Sequence, residues 1–411
     1  MIAEKALRGM LSSPALVLVG ALAAAPAAAQ GTKEPDVSKV RVRLGPVALD
    51  PTIELTNFGV DTNVFNEPTG EEKQDFTFTL TPRARAWMKA GRTWVTADFR
   101  EDIVWYQEYS SERAANTFFS GGWIVPLNRL AFGFDGTYLN ARERPGYEID
   151  VRADRRELQG RAAIEYRALA KTFLTARAGR SDVEFDADEF FLSSNLSREL
   201  DRVVTMFAIG IKHELTPLTS IGFDLTRQED RFDFSQLRDS DSTTFSVQVT
   251  FDPYALIKGT ARVGYRDFVP LDPTVPGYQG GTAAVDLSYV LQGSTKLGVQ
   301  IGRDVQYSFD VNQPYYLQTG INGSIAQQIY GPLDVVARAG TQHLSYRDRA
   351  GATVAVADRA DDVRTLGVGF GYHVGSELRI GFNVDRSRRD TDLVGHRYEG
   401  YRAGMSVTYG L

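Results

Sequence analysis

The chain has 411 residues, 43% of them hydrophobic and 24% charged, with a net charge of -6, a pI near 5.5 and no cysteine. A mildly negative chain offers no bulk electrostatic reason for a nucleic-acid partner, and the missing cysteines exclude disulfides and thiol ligands. With 38 Gly, 18 Tyr and 23 Phe beside those charges, the composition is neither that of a disordered chain nor that of a helical membrane protein.

Lys5 and Arg8, the apolar run from Pro14 to Ala25, and Ala27-Ala28-Ala29 before Gln30 have the layout of a secretory signal peptide (residues 1–29), with cleavage expected after Ala29. That apolar run is too short to cross ~30 Å of hydrocarbon as a helix, and no later stretch approaches about 20 consecutive apolar residues. The expectation is an exported chain without a transmembrane helix, in the periplasm, outer membrane or medium of a Gram-negative host. Residues 30–50 carry Lys33, Glu34, Pro35, Lys39, Arg41, Arg43 and Pro46 and read as a periplasmic tail with one short strand at Val40 to Leu44.

Residues 51–411 read as one barrel. Alternation starts at Ile53 and Leu55, and a polar loop follows from Asp61 to Gln74. The second strand is the clearest. Phe76, Phe78, Leu80, Pro82, Ala84, Ala86 and Met88 share one face, and Asp75, Thr77, Thr79, Thr81, Arg83 and Arg85 share the other. More than a dozen positions of unbroken period is enough for a tilted membrane crossing, whereas an ordinary strand averages about 5 or 6 residues. Pro82 cannot donate to a ladder, which predicts a break in that strand's central pairing. Glu101 interrupts the apolar face of the third strand, and Arg177 marks a mixed end of the seventh.

Beyond it, tight connections alternate with longer polar ones. Short turns are expected near Gly91, Leu127, Ala168, Pro217, Pro253, Gly293, Gly331 and Gly375. Long loops are expected at 107–115, 141–155, 182–201, 230–240, 269–281, 308–314, 347–362 and 386–396. Sorting connections by length is the mark of short periplasmic turns opposite long extracellular loops. The apolar sets between them, from Val95-Ala97-Phe99 to Tyr401-Ala403-Met405-Val407-Tyr409, give the fold class: all-β, a transmembrane antiparallel up-and-down β-barrel of about 18 strands, with 16 as the alternative. Aromatic residues beside the connections are expected to form two interfacial girdles: Trp87, Trp94, Trp123, Tyr166, Tyr254, Tyr289, Tyr330, Tyr372 and Tyr409 on one side, Trp105, Tyr106, Tyr138, Tyr265, Tyr307, Tyr346 and Tyr398 on the other.

If one face meets lipid, the other meets the lumen. The expected pore-lining residues are Arg83, Arg85, Asp98, Arg100, Asp102, Asp135, Arg161, Asp224, Arg262, Arg266, Asp286, Asp304, Arg338, Arg379, Asp385 and Arg402, joined by Glu165 and Asp334. Charges of both signs suit water and hydrophilic solutes and give no strong ion preference; taken singly, each also reads as an ordinary solvated, paired strand charge. His213, His343, His373 and His396 have no paired spacing, and the acidic run Asp182, Glu184, Asp186, Asp188 and Glu189 lacks the glycine and spacing of a calcium loop. No metal, cofactor or catalytic constellation is expected.

The signal peptide, the opening strand followed by Val60-Asp61-Thr62-Asn63-Val64-Phe65, the run of amphipathic strands and the C-terminal strand together resemble the putative β-barrel porin-2 family, some of whose members are linked to exopolysaccharide export. That resemblance implies an outer-membrane barrel and an assembly signal at Arg402, Gly404, Val407 and Tyr409, read by the barrel-assembly machinery, with Gly410 and Leu411 beyond the usual terminal aromatic. The leading functional expectation is a passive channel for hydrophilic small solutes. A barrel for polysaccharide secretion is the alternative, and it would want a lumen of one sign and a periplasmic partner. Partners expected besides lipid are the assembly machinery and the transported solute or polysaccharide.

Overall fold

The computed structural model describes residues 34–35, 37, 40–252, 255–393 and 395–410, so the expected signal peptide lies outside the described residues, as does Tyr254. Eighteen long strands follow one another. They are β1 Val47–Asp61, β2 Asp75–Ala90, β3 Thr93–Tyr106, β4 Ala114–Pro126, β5 Leu130–Glu143 and β6 Ala153–Arg167. Next come β7 Thr172–Phe185, β8 Arg202–Thr216, β9 Thr219–Phe232, β10 Ser240–Phe251, β11 Ile257–Pro270 and β12 Tyr278–Leu291. The last six are β13 Thr295–Tyr307, β14 Tyr315–Tyr330, β15 Leu333–Arg347, β16 Ala360–Val374, β17 Leu378–Thr391 and β18 Tyr398–Tyr409. Each pairs antiparallel with its neighbour, and β18 closes on β1 from Ile53 opposite Tyr409 to Asp61 opposite Arg402. Closure removes both sheet edges, which would otherwise present rows of unpaired backbone groups to lipid.

Alternation has its expected outcome. Phe58, Phe99, Phe119, Phe134, Ile164, Phe207, Phe223, Phe245, Val263, Ile321, Phe370, Phe382 and Met405 are all exposed on the outer face, where a soluble protein would bury them. Eight connections of two to five residues alternate with nine of six to sixteen. Of the three two-residue turns, two use left-handed backbone, supplied by Gly91 at φ 62° and Gly331 at φ 51°. Pro82 pairs with Ile53 of β1, but the β2–β3 ladder has a gap between Leu80 and Arg83, as its missing N–H predicts.

Three details differ from the sequence reading. The wall begins at Val47, four residues earlier, and Val42–Leu44 forms a hairpin with it. Arg41 ties this hairpin to the closing seam: its guanidinium donates to the Pro51 carbonyl at 2.8 Å and to the Gly410 carbonyl, and meets Asp50 at 3.4 Å. The aromatic girdles are thinner than expected. Trp105, Trp123, Tyr166, Tyr265, Tyr330, Tyr372 and Tyr409 are exposed on the outer face. Trp87, Trp94, Tyr106, Tyr346 and Tyr398 have the opposite parity and point inward, and Tyr307 packs against Phe232 and Phe268 inside the barrel mouth. Polar partners inside explain the inward set: Trp94 donates to Glu34 at 3.1 Å, and Tyr346 donates to Asp361 at 3.2 Å. Finally, several strands run past the apolar band. β17 continues to Thr391, so Arg388 and Arg389 belong to the wall and not to a loop.

Candidate functional site: the barrel lumen and its crossing loop

Every charged residue expected in the lumen has inward parity, and most are paired with one another. Asp135 accepts from Arg161 at 2.7 Å and Glu165 from Lys212 at 2.5 Å. Arg83 grips Asp98 with both nitrogens, Arg85 meets Asp50 at 2.6 Å, and Asp102 holds Arg100 and Thr81. Toward the extracellular end, Arg266 bonds Asp304 at 2.8 Å and Arg402 bonds Asp61 at 2.6 Å. Arg262 and Asp286 are the exceptions, each hydrogen-bonded to a glutamine.

Five of these pairs skip a strand, among them Lys212–Glu165 across β7 and Arg266–Asp304 across β12, and in the other three a glycine on the strand between leaves the room. Arg338 on β15 reaches Asp385 on β17 over Gly367, Arg177 on β7 reaches Asp224 on β9 over Gly210, and Arg379 on β17 reaches Asp334 on β15 over Gly371. A Cβ at Gly371 would lie 2.4 Å from the Arg379 Nη2 atom. Asp334 is fully enclosed, and it also meets His373 at 2.8 Å. Gly371→Val is therefore expected to push Arg379 off Asp334 and cost about 3 kcal/mol, the scale of breaking a buried pair. A urea-unfolding midpoint in detergent or lipid checks it, with Gly323→Val, where a Cβ meets nothing within 4 Å, as the reference.

The extracellular half of the lumen is not open space. Loop 144–152, between β5 and β6, carries Tyr147, which packs on Tyr316, Leu344 and Tyr346 of β14 and β15. Those strands lie nine positions round an eighteen-strand ring, which is halfway, so the loop crosses the barrel from wall to wall. It is clamped at several points along its length. Arg144 donates to the Val64 carbonyl at 2.7 Å, Arg152 bonds Glu112 at 2.7 Å and the Tyr106 hydroxyl at 2.5 Å, and Asn66 donates to Asp150 at 3.1 Å. At the far wall Arg389, only 1% exposed, holds Asp150 at 2.6 Å, Asp361 at 3.1 Å and the Glu148 carbonyl at 3.2 Å. Glu148 accepts from the Ser308 hydroxyl at 2.6 Å, and the Ser308 backbone carbonyl accepts from Arg238 at 2.9 Å.

A small apolar core fills the same region. Ile149 of the crossing loop meets Phe191, Leu196 and Leu200 of loop 186–201, Phe309 of loop 308–314, and Val183 and Phe185 of the wall. Desolvation here has chemical consequences. Burial pushes the Glu148 carboxyl up to about 7, against the pull of Ser308 and of the nearby Arg359 and Arg389. Burial also raises the Tyr147 hydroxyl to about 12 and, with Arg152 beside it, lowers Arg144. Above the crossing loop lies a cleft of about 730 Å³, bounded by Phe65, Glu112, Arg142, Arg152, Glu189 and Phe190.

Glu148, Asp150, Arg359, Asp361 and Arg389 are not among the residues the sequence reading placed in the lumen. One signal was there: Tyr147, Ile149 and Val151 alternate with Glu148 and Asp150, an apolar pattern that a solvated loop has no use for. The acidic run at 182–189 is split apart. Asp182 lies near Arg180, Glu184 pairs with Arg156, and Glu189 bonds Arg142. The four histidines are scattered, and no described His, Asp or Glu residues form a group of three suited to a metal.

A family model described as putative beta-barrel porin 2 matches residues 34–410. The chain belongs to that family. It is a porin-like outer-membrane β-barrel, a channel-type fold and not that of an enzyme. Among solved structures the family member is similar to a BenF-like porin from Pseudomonas fluorescens Pf-5, at 12% identity over 89% of this chain and 98% of that one, with a TM-score of 0.48. It is also similar to Pseudomonas aeruginosa OccK2 (OpdF) in complex with glucuronate, at 10% identity, 88% and 97% coverage and a TM-score of 0.47. The P. aeruginosa outer membrane protein opdK matches at 10% identity, 89% and 98% coverage and a TM-score of 0.47. No curated protein matches the sequence.

Proposed function

We propose that this porin-like barrel is a constricted diffusion channel for small hydrophilic solutes across the outer membrane of a Gram-negative bacterium. The observation that carries this reading is the loop 144–152, which divides the lumen above a wall of paired charges of both signs. Paired charges keep the path wet without trapping ions of either sign. A charged polymer would be better served by a wall of one sign and a mouth without a clamped crossbar, so the pairing speaks against secretion of such a polymer. Purified barrel reconstituted in planar bilayers should conduct, with cation-to-anion permeability within a few-fold of unity. Silent bilayers would refute the channel reading.

Assembly is the second part of the proposal. Val407 and Tyr409 face outward on the strand that closes the barrel against Leu55 and Ile53, with Gly404 opposite Gly59. Val407→Ala with Tyr409→Ala is expected to leave export across the inner membrane intact and to deplete the folded, heat-modifiable form in the outer membrane. An unchanged gel shift between unboiled and boiled protein would rule out an assembly signal at these residues.

A further inference from the structure

Two opposite charges on neighbouring strands are held apart. Arg262 on β11 bonds the neutral Gln248, its register partner on β10, with Nε to Oε1 at 2.9 Å, and no described carboxylate pairs with it. Asp286 on β12 takes a hydrogen bond from Gln300, its register partner on β13, and no described cation pairs with it. The register sets Arg262 opposite Ala284 and Asp286 opposite Thr260, which makes the two charges diagonal neighbours, roughly 7–8 Å apart at their bases. Elsewhere on this wall charges at greater separation have closed on each other, as Arg338 and Asp385 do across Gly367.

Between and beside the two, the wall is low. Ala284 and its register partner Gly302 are exposed to the lumen, and a Cβ at Gly302 would meet nothing within 4 Å. The result is a shallow recess with a guanidinium on one side and a carboxylate on the other, each steadied by an amide that a ligand can displace without leaving a buried charge behind.

We propose that this recess is a binding site for zwitterionic solutes of the amino-acid type, taking the carboxylate on Arg262 and the ammonium on Asp286. It deepens the channel reading and rests on it for access to the lumen. A solute with only one charge satisfies one side and leaves the other to its glutamine. A zwitterion satisfies both at once, and the second charge-assisted hydrogen bond makes the distinction.

The test uses four solutes of one size: L-alanine with both charges, L-lactate with the negative one, L-alaninamide with the positive one, and lactamide with neither. Influx into liposomes carrying the full barrel should favour alanine over lactamide by about tenfold, equivalent to 1.4 kcal/mol. Arg262→Gln and Asp286→Asn should each abolish that preference, the double variant should do no worse, and the exchange Arg262→Asp with Asp286→Arg should restore part of it. Arg156→Gln, which removes an exposed rim arginine outside the lumen, should leave the ratio as it is. Equal influx of alanine and lactamide, or an Asp286→Asn barrel that keeps the preference, overturns the proposal. If none of the four enters, the channel reading fails; saturation-transfer NMR of alanine on the detergent-solubilised barrel then decides the recess by itself. Transfer lost in Arg262→Gln supports the recess, and no transfer to the wild type overturns it.

Discussion

Arg389→Leu is expected to cost about 3–5 kcal/mol and to raise single-channel conductance. The stability part follows from what the side chain leaves behind: Asp150 would remain enclosed with its cation gone and Asp361 with one of its two, and removing one partner of a buried ion network costs about that much. Arg359, at 2.6 Å from Asp361, offsets some of it. The conductance part follows from position. Arg389 holds the far end of the crossing loop, at the Glu148 carbonyl and the Asp150 carboxylate, so its loss frees the segment that narrows the lumen. Urea titration of the detergent-folded protein reads the first effect and bilayer recordings read the second. A stable variant of unchanged conductance would mean that Arg389 is not the clamp.

The second large effect is a pH dependence centred on Glu148. Docked, its carboxyl is pushed up to about 7 by burial; released into water it returns to about 4.5. A raised acid favours the docked state when protonated. The contribution is therefore complete below about pH 4.5 and is lost as pH rises through about 7, amounting to roughly 3 kcal/mol at most. The groups facing Glu148 set this value together: the Ser308 hydroxyl and Phe309 amide of loop 308–314, the Arg359 and Arg389 guanidinium groups, and Tyr316, Tyr346 and Asp361 of the far wall. Recordings from pH 5 to 9 should show long closed intervals at the acid end that shorten through neutrality. Glu148→Gln mimics the protonated form and should behave at pH 8 as the wild type does at pH 5. The same slope in both proteins would assign the dependence to other groups.

The lipid-facing half of this architecture was open to reading because lipid enforces period two. Phe76 to Met88 can alternate for thirteen residues only if one face never meets water, and that argument holds strand by strand without knowing any neighbour. Pro82 even announced its own gap in the ladder. The inner side was half legible. Parity placed Arg83, Asp135 and Arg338 inward, but which partner each one finds is not in the local pattern: Arg338 reaches Asp385 two strands away because Gly367 lies between them. Trp94 shares parity with Asp98 and Arg100, a cue that its place beside a turn obscured. The crossing loop showed its apolar alternation at Tyr147, Ile149 and Val151, but not what it packs against. Tyr147 meets Leu344 only because nine strands of wall bring β15 to face it, a contact about two hundred residues apart in sequence that no local pattern encodes. Arg389 was hidden for a related reason, since β17 runs beyond the apolar band that marked its expected end.

A cross-link tests the crossing loop most directly, and the absence of native cysteine makes it clean. Tyr147→Cys with Leu344→Cys, treated with a short bis-maleimide in the folded barrel, should join the loop to the far wall in high yield and lower the conductance at pH 8. Each single variant should give no internal product. Failure of the pair to cross-link in a barrel that is heat-modifiable and conducting would contradict a loop that spans the lumen, and with it the constricted-channel account.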